Sequence, residues 1–196
     1  TAIGVDDDTA AAEVLGRLAG FGHRRVALVS PDGDYAFAHG RIGIFERRAA
    51  ELGLDLLTVS AVFNEDGGRA ITAMLLAMAD PPTAIVYFAN RMALGGLHAI
   101  SDSILVPGRH VSVISYGDNA NLLYASPPVT AVRAPLEEMM RHAVDLLVGE
   151  IEGRPIVPIR NWQPTLMRRR SDGPLVPRPM TRFDGRTSLE TPIEEA

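Results

Sequence analysis

The chain has 196 residues, 46% apolar and 22% charged, with a formal net charge of -5, which is ordinary for a globular protein and leaves no overall basic field to hold nucleic acid. It contains no cysteine, which excludes disulfides, thiol catalysis and cysteine-bound zinc. It also contains no lysine, which excludes a phosphate-loop lysine, a Schiff-base lysine and a response-regulator receiver site, and no apolar run is long enough to span a bilayer.

Thr1 to Asp8 reads as an extended lead-in without a signal-peptide pattern. Asp8 or Thr9 can cap a helix whose apolar face is Ala11, Val14, Leu15, Leu18 and Phe21, with Gly22 ending it. Val26 to Ser30 is a strand, and Pro31-Asp32-Gly33-Asp34 is the loop at its carboxyl end. A second helix is expected from about Ala36 to Leu52, and a strand from Asp55 to Val62 follows it. The third helix carries Ile71, Met74, Leu75 and Met78 on one face.

Pro82 to Gly95 is the organising unit. Ala84 to Phe88 is an apolar run of strand length, and Met92, Leu97, Ile100 and Ile104 then recur at helical spacing. A strand feeding a helix repeats through the chain, so the fold class is α/β: a doubly wound, mainly parallel sheet with helices on both faces. Phe88, Ala89 and Asn90 then belong to the rim of a ligand crevice. Val111 to Ser115 is a further strand with the exit loop Tyr116-Gly117-Asp118-Asn119, and Val129 to Val132 is another.

After Pro135 the pattern changes. Leu136, Met139, Met140, Ala143, Leu146, Leu147 and Ile151 form one amphipathic helix. Arg154 to Pro164 is interrupted by proline, Leu166 and Met167 suit a last edge strand, and residues 171–196 read as a mobile tail.

Six motifs occur in order: Gly22-His23-Arg24-Arg25-Val26-Ala27; Arg41 with Phe45; Pro82 to Gly95; Val106-Pro107 with Val111-Ser112-Val113-Ile114; Ser126-Pro127-Pro128-Val129-Thr130-Ala131-Val132; and Pro164-Thr165-Leu166-Met167-Arg168-Arg169-Arg170-Ser171. Together they resemble the lactose-repressor/galactose-repressor (LacI/GalR) family of transcriptional regulators, over roughly Val5 to Ser171. The resemblance implies a periplasmic-binding-protein-like effector domain of two lobes with a small-molecule effector, a sugar or related metabolite, held between them. It further implies a cytoplasmic homodimer that reaches DNA through a helix-turn-helix not contained in this chain, with no cofactor, no membrane association and no enzymatic reaction. On that alignment residues 1–134 are the carboxyl-terminal lobe. Residues 135–162 are a helix and linker of an amino-terminal lobe that is otherwise missing, and residues 163–170 are the return strand. The apolar stripe of the helix from Leu136 is therefore expected to pack on protein beyond this chain or on a second copy.

The same resemblance places ligand contacts at Arg41, Phe63, Asn90, Asp118, Tyr35, Phe37, Ala89 and Gly117. Arg41 suits a fork of hydrogen bonds to hydroxyls or a carboxylate, against the alternative of a solvated helix arginine. Phe63 suits stacking on a ring, against simple packing. Tyr35 and Phe37 suit an apolar wall, against ordinary burial. Ala89 and Gly117 stand where the family has a polar asparagine and an aspartate, which leaves a less polar or an acidic ligand, a different register of one loop, or a degenerate pocket.

Asp6-Asp7-Asp8 fits a solvated turn and helix start better than a cation site. The five histidines show no metal-ligand spacing, and Arg168, Arg169, Arg170, Arg178, Arg182 and Arg186 fit a solvated arginine-rich end. No nucleophile elbow, glycine-rich dinucleotide fingerprint or metal motif supports an enzyme. The remaining alternative is a solute-binding protein of a sugar transporter, built on the same lobes without a DNA reader.

Overall fold

The structure, a computed structural model, describes residues 3–154 and 160–178, the side chains of residues 36, 37 and 160 excepted. The tail expected over 171–196 therefore lies outside the described residues from 179 onward. The elements are β1 (Ile3–Val5), α1 (Asp7–Gly20), β2 (Arg25–Pro31), α2 (Ala36–Glu51), β3 (Asp55–Ala61), α3 (Glu65–Leu76), β4 (Ala84–Tyr87), α4 (Asn90–Ser101), β5 (Ser112–Tyr116), α5 (Ala120–Tyr124), β6 (Thr130–Arg133), α6 (Leu136–Ile151), β7 (Arg160–Trp162) and β8 (Thr165–Met167).

Six strands form one sheet in the order β3-β2-β4-β5-β6-β8. All neighbours are parallel except β8, which runs antiparallel to β6 at the edge. The inner strands are apolar on both faces because helices cover both. Val26, Leu28, Ala84, Val86 and Ile114 pack with α1 and α2 on one side. Ala27, Val29, Ile85 and Val113 pack with α3 and α4 on the other. Period-two alternation thus divides one strand between two cores. The doubly wound sheet expected from the sequence is present.

Several boundaries differ from expectation for local reasons. Asp6, not Asp8 or Thr9, caps α1, accepting a 3.0 Å hydrogen bond from the Thr9 amide. The buried face of α3 is Gly67, Gly68, Thr72 and Leu75, whereas Met74 is 67% exposed. The two glycines explain this: a Cβ on Gly68 would lie 2.1 Å from the Met92 carbonyl oxygen, so α3 and α4 meet backbone to backbone. Ile104 lies beyond the end of α4 and is exposed. Phe88 is not on a rim but buried.

Residues 171–178 are not a mobile tail; they lace the amino-terminal edge of the sheet. Val113 N–H donates to the Ser171 carbonyl at 2.7 Å, and Leu175 N–H to the Phe21 carbonyl at 2.9 Å. Asp172 is buried, paired with Arg17 and accepting from the Thr130 hydroxyl. His23 is buried at the same edge, 2.9 Å from both Thr83 Oγ1 and Ser112 Oγ and 3.1 Å from the Gly173 carbonyl. Burial holds its imidazole pKa below the usual histidine value, against the raising influence of Gly173 and Asp172. Of the arginines expected to be solvated, Arg168 and Arg170 are exposed, Arg168 meeting Glu13 at the surface, whereas Arg169 is almost buried and Arg178 donates to the Pro82 carbonyl.

A second, smaller group stands apart. β1 and β7 pair in parallel, with Gly4 opposite Asn161, and His142 of α6 meets Trp162 edge-on at 6.0 Å. Only Gly149 of α6 is buried, while Leu136, Met140, Val144, Leu147 and Ile151 are all more than half exposed.

Candidate functional site

β2 and β4 are neighbours, yet the helix after β2 packs on one face of the sheet and the helix after β4 on the other. The two connections diverge at the strands' carboxyl ends, the position at which parallel α/β sheets take ligands. The loops after β2, β3, β4 and β5 all end on this edge.

Arg41 lies in the second turn of α2 with 12% of its side chain exposed. Its Nε donates to Asp7 Oδ1 at 3.2 Å. Its guanidinium carbon sits 3.7 Å from the centre of the Tyr116 ring and 5.3 Å from that of Phe88, a stacked cation on an aromatic floor. That floor is fixed from below: Phe45, Phe88 and Tyr116 meet edge to face, with centroids 5.5 to 6.3 Å apart. The Tyr116 hydroxyl also donates to Asp7 Oδ1, and burial pushes the phenol pKa up, so it remains a protonated donor. The Arg41-Asp7-Tyr116 cluster therefore joins the starts of α1 and α2 to the end of β5.

Tyr35 and Phe63 form a second aromatic group, with centroids 5.6 Å apart and planes tilted by 58°. Tyr35 stands just before α2 and Phe63 just after β3, and both are exposed. Gly33, at φ +121, bends the loop so that the Tyr35 ring passes directly over it. Asn90 opens α4 and is partly exposed, with no side-chain hydrogen bond among the described residues. Ala89 precedes it and is buried in the core shared with α4.

Gly117 has φ +103, so the backbone itself favours glycine there and a side chain would be strained. Asp118, expected as a ligand contact, has its carboxylate engaged by two arginines. Arg169 forks onto it at 2.8 and 2.7 Å, and Arg133 adds Nε and Nη2 bonds at 2.9 and 2.6 Å. The carboxylate is 1% exposed. Burial raises its pKa, but the hydrogen bonds from Arg169 and Arg133 outweigh that and hold it below the usual aspartate value. Asp118 is thus a fixed anchor for β6 and the segment after β8. The side chain of Phe37 lies outside the described residues.

Arg41, Tyr35, Phe63, Ala89, Asn90 and Gly117 therefore stand on one edge of one sheet. Asp7 and Tyr116 were not foreseen as site residues. Asp7 was concealed by its neighbours, since three successive aspartates at a helix start have a sufficient local explanation. No sequence signal pairs it with Arg41, 34 positions away.

Two hollows lie nearby. A groove of about 470 Å³ at the carboxyl end of β6 is lined by Arg133, Pro135, Glu137, Arg141 and Thr165, among others. An apolar groove of about 310 Å³ runs between Ile3 and Ala143, Leu146 and Leu147 of α6. Among the described residues no cluster of histidine and carboxylate side chains suits a metal ion, and no helix is long and apolar enough to cross a membrane.

Residues 15–171 match a family model described as periplasmic binding protein-like domain. The helix-turn-helix-type transcriptional regulator MalR of Streptomyces coelicolor is 30% identical over 160 residues, 78% of this chain and 46% of that protein. The regulator AglR of Rhizobium meliloti is 30% identical over 180 residues, 88% of this chain and 50% of that protein. The crystal structure of a LacI family transcriptional regulator from Bifidobacterium animalis subsp. lactis superposes with a TM-score of 0.81 at 29% identity, covering 86% of this chain and 63% of that one. The chain spans about half the length of these two sequence relatives.

Proposed function

This chain belongs to the LacI/GalR family of transcriptional regulators through its periplasmic binding protein-like effector domain, and from that premise we propose that it is the ligand-sensing part of such a regulator. Its relatives are regulators and not enzymes. The effector, a sugar or related metabolite, lies in the crevice beyond β2 and β4. Arg41 and Asn90 supply polar contacts, and Tyr35 and Phe63 offer ring faces to the ligand. Binding shifts the orientation of two lobes, and a homodimer passes that change to DNA readers carried elsewhere in the whole cytoplasmic protein. The observation that carries this reading is Arg41, stacked on a fixed aromatic floor at the point where the two connections diverge.

β1, α6 and β7 are the part of the second lobe present here, in this reading, and the exposed face of α6 packs against the remainder of that lobe. The helix-turn-helix type of MalR and AglR favours a regulator over a transporter's solute-binding protein.

The test is a thermal-shift screen of neutral sugars, nucleosides and small acids on the longest chain that includes both lobes. A ligand that binds only the folded form raises its melting temperature. Arg41→Ala is expected to weaken that ligand by about tenfold or more, the loss of a charge-assisted hydrogen bond. A ligand bound equally well by Arg41→Ala would remove this site from the reading.

A further inference from the structure

Arg41 alone would make the crevice an anion receptor, because a guanidinium held on aromatic faces and mostly out of water attracts a carboxylate or phosphate. It is not alone. Asp7 comes from a different element, accepts the Arg41 Nε hydrogen bond, and is fixed in place by the Tyr116 hydroxyl on the same oxygen.

We propose that Asp7 is a specificity-determining residue: by pairing with Arg41 it keeps the crevice electrically neutral, so that the site takes an uncharged, hydroxyl-bearing ring and rejects the corresponding acid or phosphate. This rests on the sensor reading above and decides between the less polar and the acidic ligand that the sequence leaves open.

Other charges at this edge are paired: Arg91 with Glu65 beside Asn90, and His39 facing Asp34. Arg133, Arg141 and Arg169 stand with Asp118, Glu137 and Glu138 around the end of β6, three of each sign. Asp32 and Asp34 lie exposed in the loop after β2 and add negative charge at the mouth. An anionic ligand reaching Arg41 has to displace Asp7 or come to rest beside it, and two like charges at that range disfavour each other. A neutral ring has neither difficulty, and it finds the exposed Tyr35 and Phe63 faces on the same edge.

The test is Asp7→Asn, with the double variant Asp7→Asn/Arg41→Met as its control. Each is titrated with inorganic phosphate at constant ionic strength, chloride replacing phosphate, with the melting temperature as readout. Wild type and the double variant are expected to respond alike and without saturation. Asp7→Asn is expected to gain a saturable stabilisation, with phosphate bound about tenfold or more tighter than by wild type. Saturable phosphate binding by wild type that Arg41→Met abolishes would overturn the proposal, as would an Asp7→Asn protein indistinguishable from wild type. Should Asp7→Asn not fold, the Arg41 Nε–H resonance of wild type, assigned through Arg41→Met, decides: unmoved by phosphate it supports the proposal, and displaced it defeats it. None of these measurements involves DNA or the natural effector, so a failure of the charge assignment is distinguishable from a failure of the sensor reading.

Discussion

The six-stranded sheet and the small β1-α6-β7 group use the same vocabulary of apolar residues and end in opposite conditions. In the sheet, Val26, Leu28, Ile85, Val86 and Ile114 are fully buried between two helical layers. In the small group, α6 carries an equally regular apolar stripe, yet Ile151 is 86% exposed and Met140 66%. A stripe therefore specifies that a face is to be covered and says nothing of what covers it. Two parallel strands of three residues each cannot do so, since parallel pairs persist where both faces are packed.

The contrast can be broken first at its strongest point. Phe45 is fully buried and braces both Phe88 and Tyr116 edge-on. Phe45→Ala should cost about 3–5 kcal/mol in urea unfolding, and a loss under 1 kcal/mol would mean that the aromatic floor does not carry the sheet. A smaller effect is expected from pH, again in the closed region. The folded-state pKa of His23 is depressed by burial, so the unfolded chain takes up a proton at higher pH than the native one. The His23 contribution is complete above the ordinary histidine value of 6.5 and is lost as pH falls below it. Unfolding midpoints should drop on acidification through that range, and His23→Gln should flatten this part of the profile. The smallest effect belongs to the open region. Leu147→Ala should change the stability of this chain by no more than about 0.5 kcal/mol, as for exposed positions generally. In a longer chain with both lobes the same change should cost about 2–5 kcal/mol. Equal losses in both would erase the distinction between the two regions.

Most of the sheet could be read from the sequence because its strands are written as short apolar runs, and Gly22, Gly53 and Gly108, all at positive φ, mark the turns before β2, β3 and β5. Where the reading failed, the deciding partner was distant in sequence. Gly68 looks like a helix weakness until Met92 is seen against it. Ser171, Asp172 and Gly173 look like the start of a polar tail until Val113, Thr130 and Ser112 receive them. Of the candidate site, Arg41 and the aromatic pair were legible through the family resemblance and not from local pattern. The engagement of Asp118 by Arg133 and Arg169, and of Asp7 by Arg41, was not, because no local pattern announces which charge will meet which.

The lacing by residues 171–178 has a dynamic consequence. Val113 N–H, Thr130 N–H and the His23 ring are all tied to this one segment at the same end of the strands. Their exchange with solvent deuterium should require opening much of the sheet at once, whereas the exposed loops carrying Tyr35 and Phe63 should trade their amide hydrogens far sooner. The molecule is stiff at its heel and yielding at its lip, so a guest can reshape the lip without loosening the heel.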